Sequence, residues 1–66
     1  MCQSIKVLRR PAEPATKEEI AAASLQFVRK ISGYLKPLKA NQEAFGKAVA
    51  EVAAAGERLL RSVGGL

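Results

Sequence analysis

The chain has 66 residues, of which 48% are hydrophobic and 5% are aromatic, and its formal net charge is +5. A chain this short makes one domain at most, and below about 70–80 residues a single core rarely suffices without staples or a partner. One cysteine and no histidine exclude an internal disulfide and a zinc site of the usual Cys/His spacing.

Residues 1–15 are predicted to form an extended arm and a proline-containing linker. Within them, residues 2–8 (CQSIKVL) would be either a short strand, which could pair with its copy in a dimer, or simply extended chain. Pro11 and Pro14 interrupt regular structure in the linker.

The first helix is predicted to begin after Thr16 and to end at Gly33. Thr16 and Glu19 have the spacing of a capping box. Gly33 suits the position just past a helix end, where a left-handed conformation is needed. At 100° per residue the apolar positions fall in a narrow arc with Val28 and Ala21 at its edge. The members of that arc are Ile20, Ala23, Phe27 and Ile31.

Residues 35–40 are predicted to be a turn, and the second helix is predicted to run to about Val63. It would start either at Pro37, as first helical residue, or with Asn41 as cap. Gly56 lies in its apolar stripe and would either permit close helix approach or simply be tolerated. Residues 64–66 are predicted to fray. The stripe consists of Phe45, Ala48, Val49, Val52, Gly56, Leu59, Leu60 and Val63.

Two such helices joined by a short connection predict an all-α fold, an antiparallel hairpin over residues 16–63. The hairpin has too little chain to cover both apolar stripes, so we expect a dimer forming a four-helix bundle, or docking on another protein. The candidate interface residues are Ile20, Phe27, Ile31, Phe45, Val49, Val52, Gly56, Leu59 and Leu60.

Positive charge is concentrated in two segments without acidic residues, 1–10 and 29–39. Clustered Lys and Arg attract nucleic acid, so the alternative function is a small basic nucleic-acid-binding protein. Helix electrostatics explain Arg29 and Lys30 equally well, because both lie in the last turn of the first helix. The candidate nucleic-acid-binding residues are Arg9, Arg10, Arg29, Lys30, Lys36 and Lys39.

No catalytic, cofactor-binding or metal-binding group is predicted, and we do not expect an enzyme or a small-molecule substrate. Cys2 is a candidate reactive thiol, because removal of the initiator Met would make it an N-terminal aminothiol; the alternative is an apolar anchor for the arm. No apolar run approaches the ~20 residues of a membrane span, and no signal-peptide block is present. With one unpaired cysteine, we expect a cytoplasmic protein.

The opening residues 1–6 and the stretch 14–60 resemble a bacterial family of uncharacterised proteins, domain-of-unknown-function family 2277. Members begin Met-Cys-Arg-Asn-Ile-Lys, and their QFVRKxSG motif matches residues 26–33 here. Gln3, Ser4 and Leu38 depart from the pattern; the last removes a cap and favours Asn41 as the start of the second helix. The resemblance implies no activity, but it directs attention to Cys2. Further matching positions are Pro14, Thr16, Glu18, Glu19, Ile20, Arg29, Lys30, Lys36, Pro37, Ala40, Asn41, Phe45 and Ala48 to Ala53.

Overall fold

The computed structural model describes residues 7–10 and 12–64, and every regular element in that part of the chain is helical. Helix α1 spans Lys17–Ser32, a 3-10 turn spans Lys39–Asn41, and helix α2 spans Gln42–Val63. The all-α prediction is confirmed. Residues 1–6, 11, 65 and 66, and with them most of the predicted 2–8 strand, Pro11 and most of the predicted frayed tail, lie outside the described residues.

Both ends of α1 form as local sequence signals predict. The Thr16 hydroxyl accepts a hydrogen bond from the Glu19 amide at 3.0 Å, and the Glu19 carboxylate accepts one from the Thr16 amide at 2.9 Å. Gly33 adopts a left-handed conformation (φ 78°) and donates its amide to the Arg29 carbonyl at 2.8 Å. The predicted capping box and glycine stop are therefore confirmed.

The start of α2 differs from one of the two predicted alternatives. Pro37 is not the first helical residue, because the 3-10 turn comes between it and α2. Asn41 occupies the cap position, but its side chain makes no capping hydrogen bond. At the other end Gly64 is left-handed (φ 82°) and caps the Leu60 carbonyl.

The two helices pack against each other in an antiparallel hairpin. Ile20, in the first half of α1, forms a buried cluster with Leu60, in the last half of α2, and with Ala15 from the linker. Leu8 and Ala53 pack against this cluster and are themselves partly buried. This cluster therefore lies at the end of the hairpin where α1 begins and α2 ends, and Val28, which is also buried, lies further along α1.

The buried seam of α1 is rotated away from the predicted arc. Its buried residues are Ile20, Ser24 and Val28, which recur every four positions and form one ridge of the helix surface. Val28, expected at the edge of the arc, is only 3% exposed, whereas Ile31 is 67% exposed. Pairing of the two helices thus covers one flank of each apolar stripe and leaves the other flank bare.

Candidate interaction groove

An open groove of about 430 Å³ runs along the bare flank of the hairpin. Ile20, Gly56 and Leu60 line it where the two helices meet. Its walls come from three parts of the chain: the arm, α1 and α2. The wall residues considered below are Val7, Leu8, Phe27, Val52, Leu59 and Val63.

The groove walls are apolar and face solvent. Phe27 is 50% exposed and Leu59 is 61% exposed, although Leu60 beside it is buried. Among the described residues, Arg9 is the single charged residue that lines the groove, and Ser24 contributes the only hydroxyl. The Ser24 hydroxyl is buried and donates to the Ile20 carbonyl at 2.7 Å. The described lining of the groove is therefore predominantly apolar.

Arg10 fastens the arm to the start of α1. Its guanidinium makes a bidentate ion pair with the Glu19 carboxylate, at 2.9 and 2.8 Å, and also donates to the Pro14 carbonyl at 3.2 Å. Its Nε has no hydrogen-bond partner, and a Glu13 oxygen lies 3.7 Å away. The ion pair between Arg10 and Glu19, called the clamp below, thus holds the arm where Val7 and Leu8 line the groove.

Glu19 serves the clamp and the helix cap together. Hydrogen bonds from the Arg10 guanidinium, and then from the Thr16 amide, lower the pKa of its carboxyl from 4.5 to about 2. The same pairing raises the pKa of Arg10. The Glu19 carboxylate is therefore ionised throughout the neutral range. Its ion pair with Arg10 links two positions of the chain that are nine residues apart.

Two residues have roles that differ from the sequence prediction. Ala15 is predicted to lie in a linker, yet it is a buried member of the core. Arg10 is predicted to belong to a cationic patch, yet its guanidinium is engaged by Glu19. The only sign of the Arg10–Glu19 ion pair in the sequence is an arginine a few residues before the capping-box glutamate. The two side chains meet only because the linker between them folds back onto the start of α1.

The predicted cationic residues do not converge. Arg9 and Arg10 lie at the start of α1, whereas Lys36 and Lys39 lie in the connection beyond its other end. A helix of 16 residues separates them, a length of about 24 Å. Arg29 reaches over the connection, where its Nε donates to the Leu35 carbonyl at 3.0 Å. Lys30, Lys36 and Lys39 are exposed.

The predicted interface residues divide between the core and its rim. Ile20 and Leu60 are buried; Phe27, Ile31 and Leu59 are exposed; and the α2 positions Phe45, Val49, Val52 and Gly56 are partly buried. A methyl group built on Gly56 would lie 3.8 Å from Cγ2 of Ile20, which is ordinary contact. The glycine therefore does not mark an unusually close approach of the helices.

Cys2 lies outside the described residues, so its role as a reactive thiol stays a prediction. Over the part of the chain that the structure describes, no group of three or more Cys, Asp or Glu side chains is placed to hold a metal ion. Within the same residues neither helix is long and apolar enough to cross a membrane.

The described residues thus form a small all-helical hairpin in which an apolar flank carrying Phe27 and Leu59 is exposed. The family model described as "Uncharacterized conserved protein (DUF2277)" matches residues 1–64, so the chain belongs to this family, as the resemblance predicted. Comparisons with curated proteins and with solved structures gave no match.

Proposed function

We propose that the protein is an interaction module whose groove binds an amphipathic helix of a protein partner. The carrying observation is the continuity of apolar side chains along the groove, from Val7 through Phe27 to Leu59. Contiguous apolar surface on a small protein marks interaction sites, and an apolar helix face laid in a groove is a recurring mode of recognition.

The small core supports the same proposal. Among the described residues only four hydrophobic side chains are buried, namely Ala15, Ile20, Val28 and Leu60, and none of them is less than 2% exposed. A core of this size gives a 66-residue chain little stability of its own. Binding at the groove would bury the remaining apolar flank and stabilise the folded chain by mass action.

In-cell photocrosslinking tests the proposal at single-residue resolution. A photoreactive benzoyl-phenylalanine replaces Leu59 in the groove, and in the control protein it replaces Gln26, which is exposed on another face of the hairpin. We expect discrete adducts of defined mass from position 59 and none from position 26. No adduct from position 59, or the same adducts from both positions, would refute a specific docking groove.

Binding to nucleic acid is the second candidate function, and one observation favours it. Residues 20–42 contain no Asp or Glu and carry Arg29, Lys30, Lys36 and Lys39. Phosphate contacts by these residues would make the affinity for nucleic acid fall as the salt concentration rises. The double variant K36E/K39E would make fewer such contacts, so its affinity would fall less steeply with salt. Affinity for duplex DNA or RNA that does not change between low and moderate salt would count against this candidate.

A further inference from the structure

We propose that the tip of the hairpin, residues 33–41, inserts into the interface of an anionic lipid surface. The tip is the connection between α1 and α2, and it includes the 3-10 turn. It lies at the opposite end of the hairpin from the buried cluster of Ala15, Ile20 and Leu60, so the inference does not depend on the proposed groove.

The apolar side chains of the tip face solvent. Leu35 is 76% exposed, Leu38 is 64% exposed and Tyr34 is 39% exposed. Pro37 is the only residue between positions 31 and 40 that is partly buried. Turns between helices are normally polar, so three exposed apolar side chains within positions 34–38 indicate a surface that is covered by something else.

Lysine and arginine side chains surround these apolar residues. Lys36 and Lys39 alternate with the leucines in the stretch YLKPLK, and Lys30 is exposed in the last turn of α1. The Arg29 Nε donates to the Leu35 carbonyl at 3.0 Å, which holds that guanidinium over the tip. None of these four cations forms an ion pair with another described residue. The tip therefore combines exposed apolar side chains with positive charge.

Acidic side chains are scarce at this end of the hairpin. Residues 20–42 contain no Asp or Glu, and Glu43 in the first turn of α2 is the next acidic residue along the chain. The segment 29–43 holds four Lys and Arg residues against Glu43, so its formal charge is +3. An anionic surface is thus attracted to the same place where the apolar side chains are exposed.

A membrane interface satisfies both properties of the tip together. Peripheral attachment depends on the apolar area that is buried and on attraction to anionic lipids. The two leucines would enter the boundary of the acyl chains, and Tyr34 would lie at headgroup level, where aromatic rings are enriched. The flexible lysine side chains would extend from that depth to the lipid phosphates.

Nucleic acid is the other polyanion that these lysines could bind. Its phosphate contacts come from cationic and polar groups, and they make no use of exposed leucines. Leu35 and Leu38 therefore favour the lipid surface, and they supply a test that separates the two partners.

Flotation with lipid vesicles tests the inference on purified protein. One set of vesicles contains one part phosphatidylserine to two parts phosphatidylcholine, and the other contains phosphatidylcholine alone. We expect the wild type to float with the anionic vesicles, and to do so less as the salt concentration rises. A wild type that floats equally with both sets, or with neither, would overturn the inference.

Two double variants divide the effect between apolar burial and charge. L35S/L38S is expected to weaken binding to the anionic vesicles at least tenfold, because two leucines lose their burial in the interface. K36Q/K39Q is expected to weaken it about thirtyfold, since each lysine near an anionic surface contributes about 1 kcal/mol. All four side chains are exposed, so both variants should keep the helical circular dichroism of the wild type.

Matched variants at the other end of the hairpin serve as controls. L59S/V63S removes two exposed apolar side chains there, and K17Q/R58Q removes two exposed cations. Sixteen residues of helix, about 24 Å, separate these cations from the tip, more than the Debye length of about 8–10 Å. Both controls are expected to leave vesicle binding within threefold. Losses equal to those of the tip variants would overturn the inference.

Tryptophan fluorescence tests insertion directly, because the chain has no tryptophan of its own. With anionic vesicles, the emission of Leu35→Trp is expected to shift to the blue and to be quenched by brominated lipid, whereas Leu59→Trp shows neither effect. A shift at both positions, or none at position 35, would overturn insertion of the tip. Binding to duplex DNA or RNA that L35S/L38S leaves unchanged, in a protein that does not float, would assign the lysines to nucleic acid and also overturn it.

Discussion

Replacing Gly56 with alanine tests how closely the two helices approach. A methyl group there would lie 3.8 Å from the Ile20 side chain, so it fits without displacing a neighbour. Glycine inside a helix costs about 1 kcal/mol relative to alanine. Gly56→Ala is therefore expected to stabilise the protein by about 1 kcal/mol, and the new contact with Ile20 adds to that gain.

Two other glycines provide matched controls. Gly46 is also inside α2, and a methyl group built on it would meet no atom within 4 Å, so Gly46→Ala isolates helix propensity and should stabilise by about 1 kcal/mol. Gly33 has φ +78°, a conformation that costs an L-residue about 1–2 kcal/mol, so Gly33→Ala should destabilise by about that amount.

Thermal unfolding by circular dichroism at one fixed protein concentration measures all three variants. For a domain of this size about 1 kcal/mol corresponds to a shift of about 4–8 °C in Tm. We expect Gly46→Ala and Gly56→Ala to raise Tm and Gly33→Ala to lower it. A lower Tm for Gly56→Ala beside a higher one for Gly46→Ala would refute the helix spacing described here.

The remaining predictions concern the start of α1. Because the folded-state pKa of Glu19 is depressed to about 2, its contribution to stability is present above about pH 4.5 and is lost as the pH falls toward 2. The urea concentration at the unfolding midpoint should therefore fall between pH 4.5 and pH 2 in the wild type, and much less in Glu19→Gln. An equal fall with pH in both proteins would contradict the Arg10–Glu19 ion pair. Thr16→Ala should cost about 0.5–2 kcal/mol in urea unfolding and Thr16→Ser much less, and equal losses would exclude the hydroxyl cap.

The ends of α1 could be predicted from the sequence because their causes are local. Thr16 and Glu19 are three residues apart, and Gly33 needs only its own backbone freedom. The fold of the arm could not be predicted in this way. It depends on Arg10 meeting Glu19 and on Ala15 meeting Leu60, contacts that form only after the hairpin does.

The apolar pattern predicted the helices better than it predicted their packing. Helical periodicity identifies a wide stripe, but the packing of one helix on another selects only one ridge within it. In α1 that ridge passes through Ser24 and Val28. The sequence correctly placed Phe27 in the stripe and among the candidate interface residues, but it did not distinguish the exposed Phe27 from the buried Ile20. Which residues of the stripe stay exposed is therefore visible only once the hairpin is formed.

Methyl NMR of the purified protein tests the central claim most directly, namely that α1 and α2 pair through Ile20 and Leu60 and leave an apolar flank exposed. We expect an NOE between the methyl groups of Ile20 and Leu60. We also expect a paramagnetic relaxation agent in the solvent to broaden the methyl signals of Ile31 and Leu59 more than those of Ile20 and Val28. No Ile20–Leu60 NOE, or equal broadening of the two pairs of residues, would contradict the account.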